Sequence, residues 1–150
     1  MSNDSRVVRI NMETGQENSV CRARPMVWAV SPDGRYVACG GYSDSLQVVA
    51  PDGSGARDLV KGGMFSAMAW TPDGRNLIYT TVERGALTSA KYWVVPFGGG
   101  EPRRLTVPLD RLGLISIHPS GRRIAITSAG TWTELWVLQN LNTLHSRPTP

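Results

Sequence analysis

A proline–glycine bend is written three times in 150 residues. "AVSPDGRYVACGG" occupies residues 29–41, "AWTPDGRNLIYTT" 69–81 and, more loosely, "SIHPSGRRIAITS" 116–128. The equivalent prolines Pro32, Pro72 and Pro119 stand 40 and 47 residues apart, a period shared by propeller blades and some helical arrays. Helical arrays are excluded. The apolar residues alternate or come in short β-branched bursts, and Gly or Pro interrupts the chain before a helix of about 10–12 residues could form. In each bend proline sets φ at the second turn position, Asp or Ser accepts the third, and Gly takes the positive φ that returns the chain. The Arg after each glycine (Arg35, Arg75, Arg122) opens the next strand with its charge in solvent.

Each unit reads as four short strands. In the second, "FSAMAW" (65–70), "NLIYTTV" (76–82), "KYWVVPF" (91–97) and "EPRRLTV" (101–107) are separated by "TPDGR", a loop and the glycine turn 98–100. The first unit matches it, and the third repeats three of the four elements. Before them, "RVVRINMETGQENSV" (6–20) fits a third and fourth strand joined by "METG". The units are placed at about 6–24 (half a blade), 25–62, 63–107 and 112–141, with a flexible tail at 142–150. Four-stranded antiparallel units cannot each bury both faces alone. Stacked face to face around an axis they bury them against one another, so the expected fold is all-β, about three to three and a half blades of a β-propeller. Trp28 and Trp70 are read as the same position in successive first strands, and Trp93 and Trp136 as the same position in third strands, all packing between blades. Trp132 has no counterpart and hints at a contact surface.

Composition narrows the function. Hydrophobic residues make up 41% and charged residues 19%, as in ordinary globular chains. No run of 18 apolar residues predicts a membrane span. The start has no secretory pattern, so the cytoplasm is expected if Met1 is the native start, and the periplasm if the chain is part of a longer protein. Net charge is +4, but the basic residues are scattered, the densest clusters being pairs such as Arg103–Arg104 and Arg122–Arg123; this argues against directed nucleic-acid binding. Cys21 and Cys39 lack metal-site spacing. Both are expected to be free, Cys39 as a small apolar filler in a strand, although the sequence leaves a disulfide between them open.

Catalytic chemistry is not visible. There is no GxSxG elbow, no phosphate loop opening a helix and no HExxH; the glycines at 98–100 lie between strands and serve a hairpin. His118 reads as a turn or packing residue and His145 belongs to the tail. Glu83, Glu134, Asp44 and Asp110 sit in loops or at strand starts without pairing for acid–base work, although Asp44 and Glu83 come from equivalent loops. The bends carry one carboxylate at most, too few for calcium. Catalytic, cofactor-binding and metal-binding residues are therefore expected to be none, with no cofactor.

"WTPDGRNLIYTT…KYWVVPFGGGEPRRLT" resembles the repeat of TolB-type, WD-repeat-like β-propellers, over roughly residues 6–141. The segment from residue 116 is similar to the last blade of such propellers in bacterial proteins, with Ser120 in place of the usual Asp and His118 in place of Ser or Trp. The resemblance implies a non-catalytic scaffold for protein or peptide partners. Its alternative is an accessory propeller of a larger enzyme, an oligopeptidase-type hydrolase or a receptor-like kinase. Known propellers of this type have six or more blades. The units here form a partial ring or half of an oligomeric one, completed by further blades of a longer chain, by a second copy, or by N-terminal strands supplying the last unit's fourth strand.

Overall fold

The computed structural model describes residues 5–23, 27–40, 45–83, 86–107, 113–128 and 134–139, with residues 86–88, 128 and 134–139 described by backbone alone. Every regular element among them is a strand. Strands β1 (Arg6–Ile10) and β2 (Glu17–Arg22) form an antiparallel pair. Blade 1 is a four-stranded sheet of β3 (Trp28–Val30), β4 (Val37–Gly40), β5 (Ser45–Val49) and β6 (Arg57–Lys61), paired in that order. Blade 2 repeats it with β7 (Met64–Trp70), β8 (Asn76–Glu83), β9 (Ala86–Pro96) and β10 (Arg103–Leu105). Blade 3 contains β11 (Ile115–Ile117), β12 (Arg123–Ser128) and β13 (Glu134–Gln139). The strand sequences explain the pattern: "NLIYTTVE" in β8 is rich in β-branched and aromatic side chains, which suit a pleated surface packed on both faces.

The blades are layered. First strand β7 lies beside both β3 and β11, so the innermost strands are neighbours, as radial stacking requires. Between blades 1 and 2, Ala38, Leu46 and Val48 meet Met68, Trp70, Leu77, Tyr79 and Val95. Between blades 2 and 3, Ile78, Ala90 and Tyr92 meet Ile124 and Ile126. Leu46, Leu77, Val95 and Ile126 are wholly inaccessible to water. Since successive residues of a strand alternate sides, blade 2 gives one set of side chains to blade 1 and the other to blade 3. Trp70 also donates its indole N–H to the Ala29 carbonyl across the first interface, at 3.1 Å. The polar pair Ser66–Thr80 is satisfied internally, its hydroxyls 2.6 Å apart.

Gly40 marks how close the layers come. A Cβ there would stand 2.3 Å from Val27 Cγ1 and 3.1 Å from Met68 Cε, so alanine would force the interface apart. Gly40→Ala is expected to cost about 1–3 kcal/mol by overpacking, read as a lower midpoint in urea with an unchanged slope.

Two sequence expectations need correction. The thiols are not free: Cys21 on β2 and Cys39 on β4 form a disulfide, with Cα atoms 6.7 Å apart. The β1–β2 pair covers the far face of blade 1, placing Val20 and Ala23 over Val37, Cys39 and Val49, and that packing brings together two cysteines 18 residues apart. Trp28 and Trp70 are also not equivalent. Trp70 pairs with Leu77, five residues after Pro72; Val30 pairs with Val37, five after Pro32. Val30 is thus the counterpart of Trp70, and Trp28 stands two pairs further in, opposite Cys39. Trp70 is 7% exposed whereas Trp28 is 47% exposed, because β1–β2 screens β4 and β5 but does not extend over β3. The third-strand equivalence holds, since Trp93 pairs with Tyr79 and Trp136 with Ile126.

Candidate binding surface

The three bends adopt one geometry. Gly34, Gly74 and Gly121 have φ of 70°, 67° and 69°, and their amides donate to the carbonyls of Ser31, Thr71 and His118 at 2.8–2.9 Å. In the first two, the hydroxyl of Ser31 or Thr71 donates to the Asp33 or Asp73 carboxylate at 2.6 Å. The same carboxylate oxygen accepts the amide of Arg35 or Arg75 at 3.0 Å. The third bend reaches the same closure with different atoms. His118 Nδ1 accepts the Ser120 amide at 3.1 Å and lies 2.9 Å from the Ser120 hydroxyl, while the Ser120 oxygen accepts the Arg122 amide at 3.4 Å. His118 is therefore a turn residue that substitutes for the serine or threonine.

The bends share a rim. A methyl group built on Gly74 would lie 3.9 Å from Pro32 Cδ, and one on Gly121 would lie 3.8 Å from Pro72 Cδ. Each proline thus leans on the glycine of the next blade.

The hydrogen bonds set the electrostatics of this rim. The Ser31 hydroxyl, then the Arg35 amide, hold the Asp33 carboxyl below its ordinary 3.8; the Thr71 hydroxyl does the same for Asp73. A depressed folded-state pKa gives stability that is complete above the unfolded value and is lost as pH falls through the folded one. As pH drops below 3.8, the Arg35 and Arg75 amide shifts should titrate together. The Arg122 amide, whose acceptor is a hydroxyl, should hold still over the same range. Equal movement of all three in a proton NMR titration would contradict this turn chemistry.

Grooves run between the bends and the outer strands. In the groove between blades 1 and 2, Phe97, just past β9, fills the space. Its ring centroid is 4.6 Å from that of Tyr36 and 5.3 Å from that of Trp70. Arg57 of β6 places its guanidinium 4.7 Å from the same centroid and donates to the Phe97 carbonyl at 2.5 Å. The space left measures only 210 Å³. Between blades 2 and 3 the corresponding groove is open, at 430 Å³, within the range of ligand clefts. Its floor is Ile78, Val94 and Leu105, and its mouth carries Arg103, Arg104 and the Ser120 bend.

The remaining residues singled out by sequence do not converge on these grooves. Glu83 is ion-paired with Lys91 at the surface, which lowers its carboxyl pKa. Gly98–Gly100 form the hairpin between β9 and β10. Asp44, Asp110, Trp132 and His145 lie outside the described residues, as do the side chains of Glu134 and Trp136. Tyr79, pushed up to about 12 by burial, stays protonated in the core. Among the described residues no group of three His, Cys, Asp or Glu side chains is placed to hold a metal, and no helix is long and apolar enough to cross a membrane. Sequence reasoning missed the open groove, although its signal was there in the repeats: Arg57 and Arg103 are in phase while Tyr36 gives way to Asn76.

Radially stacked antiparallel sheets with in-phase rim turns define a β-propeller. No protein-family model matches the chain, and no curated protein matches its sequence. Solved structures do match it. TolB from Acinetobacter baumannii superposes with a TM-score of 0.69 at 19% identity, over 95% of this chain and 37% of TolB. Hydrazine synthase from Kuenenia stuttgartiensis gives 0.67 at 19% identity, over 89% of this chain and 40% of that one. An oligogalacturonate lyase in complex with manganese gives 0.58 at 18% identity, over 84% and 36%. The repeats therefore resemble TolB-type propeller blades, and the chain spans about 37% of the TolB chain it matches.

Proposed function

We propose that the chain is part of a non-catalytic, TolB-like propeller scaffold whose rim and loops bind protein or peptide partners. The observation that carries this reading is the rigid rim. Three turns locked by side-chain hydrogen bonds present an open groove, and an ordered scaffold that displays loops and clefts is suited to recognition. Acidic side chains such as Asp33, Asp73 and Glu83 are occupied in turns or an ion pair, which supports a structural role for them.

Val8, Ile10, Trp28 and Val30 are 39–50% exposed, on sheet faces that a blade would cover. We read these faces as sites where further blades or a second copy complete the ring; light scattering of the purified chain should then show a dimer or larger assembly, and a stable monomer would count against pairing of half-rings. The Cys21–Cys39 bond supports an oxidising compartment such as the periplasm.

A second reading, an accessory propeller within a larger enzyme, draws support from a match to the tricorn protease with a TM-score of 0.59 at 9% identity, covering 85% of this chain and 14% of that one. In-cell photo-cross-linking from a benzoylphenylalanine at exposed Met12 or at Ser120 separates the two. The scaffold reading predicts cross-links to a separate, reproducible polypeptide. Cross-links confined to a hydrolase or kinase domain of the same protein would give the second reading.

A further inference from the structure

The filled groove between blades 1 and 2 shows what its open counterpart lacks. Matching strand pairs place Asn76 where blade 1 has Tyr36, Ile117 where blade 2 has Trp70, and Arg103 where blade 1 has Arg57. Two of the three aromatic groups that close the first groove are thus replaced by smaller side chains in the second, while the arginine is kept. The third aromatic, Phe97, follows Pro96, which pairs with Asn76. In blade 3 the matching pair is Arg123–Gln139, and the sequence that follows it, residues 140–150, contains no Phe, Tyr or Trp. The open groove therefore keeps its apolar floor and its arginine, and the chain's own repeat offers it no ring.

We propose that this groove binds a partner protein segment carrying an aromatic residue flanked by acidic ones. The ring enters over Ile78, Val94 and Leu105, the Arg103 guanidinium stacks on it as Arg57 does on Phe97, and the peptide carbonyl next to the ring accepts from Arg103. Charge selects the flanks. Arg103 and Arg104 are exposed and neither has an ion-pair partner among the described residues. The one carboxylate of the mouth, Asp73, is engaged by the Thr71 hydroxyl and the Arg75 amide. A guanidinium pair without its own acid favours carboxylates on the ligand. This inference rests on the reading of the chain as a binding scaffold and adds the site and the chemistry of its ligand.

The test uses the full chain, methyl-labelled, and the peptide acetyl-Asp-Pro-Phe-Gly-Glu-amide, followed by NMR because one ring and two charges give weak binding. The expected result is saturable movement of the Ile78, Val94 and Leu105 methyl and Arg103 Nε resonances. Binding should weaken about tenfold when Phe is replaced by Leu in the peptide, and about tenfold in Arg103→Ala. The double variant Asn76→Tyr with Ile117→Trp, which rebuilds the filled groove, should abolish it while the protein stays folded. Equal binding of the Phe and Leu peptides, or no movement at millimolar peptide, would overturn the proposal. So would nuclear Overhauser contacts from Ile78 or Val94 to residues 140–144 without peptide, since the chain itself would then occupy the groove. These outcomes leave the scaffold reading standing, because that reading fails on a different result: no separate polypeptide cross-linked from any rim or loop position.

Discussion

Trp70→Ala is expected to destabilise the protein by about 3–5 kcal/mol, the largest effect of any single truncation considered. The indole is 7% exposed and lies at the junction of blades 1 and 2. Its removal leaves a cavity against Leu77 and Phe97, and it deletes the hydrogen bond to the Ala29 carbonyl. The ring contact that Phe97 makes with Trp70 goes as well, which loosens the plug held by Tyr36 and Arg57. Marginal stability of about 5–15 kcal/mol for a domain makes this a loss of about a fifth or more. Urea titration followed by near-ultraviolet circular dichroism measures it. Val30→Ala provides the internal control: the same repeat position, but 50% exposed, so its cost should stay near the size of a surface substitution, within about 0.5 kcal/mol. Equal costs at the two positions would mean that the first interface is not packed as described.

Reduction of the Cys21–Cys39 bond should cost about 3 kcal/mol, because it closes a short loop whose entropy is released to the unfolded chain. The effect is local as well as global. The disulfide joins β2 to β4 and so ties the two-stranded unit to blade 1, where a small apolar cluster of Val20, Ala23, Val37, Cys39 and Val49, with Val7 and Cys21 at its edge, packs between them. The C21S/C39S variant should therefore lose amide protection in β1 and β2 first, while β7–β9 keep theirs. Hydrogen exchange with and without reductant reads both quantities. Uniform loss across all blades would show that the pair is not a separate layer held by this bond.

Strands and turns were legible because their signals are local. A period of two in the apolar residues and a Pro-x-Gly bend lie within a dozen residues, and the three copies reinforce one another. The disulfide was not legible: its cysteines sit in different sheets, and only the stacking of those sheets brings them together. Trp28 was misplaced for a related reason. Two tryptophans near two equivalent turns invite alignment by residue type, but strand position is counted from the turn, and Trp28 stands four residues before its proline where Trp70 stands two. The open groove was hidden because it depends on substitutions far apart in sequence, at Asn76 and Ile117, whose correspondence to Tyr36 and Trp70 appears only when the blades are laid side by side. For His118 the sequence left a turn role and a packing role open, and the hydrogen bonds to Ser120 decide for the turn.

The central claim is that the three bends lie on one rim because the sheets are layered about a common axis. Isotope-edited nuclear Overhauser spectroscopy tests it directly through the prolines and glycines of successive blades. The account predicts contacts from the Pro32 δ-protons to Gly74 and from the Pro72 δ-protons to Gly121, since a methyl group placed on either glycine would lie 3.8–3.9 Å from the proline Cδ. Absence of both contacts in a folded sample whose strand pairings β7–β8 and β11–β12 are intact would show that the sheets exist but are not stacked in this way.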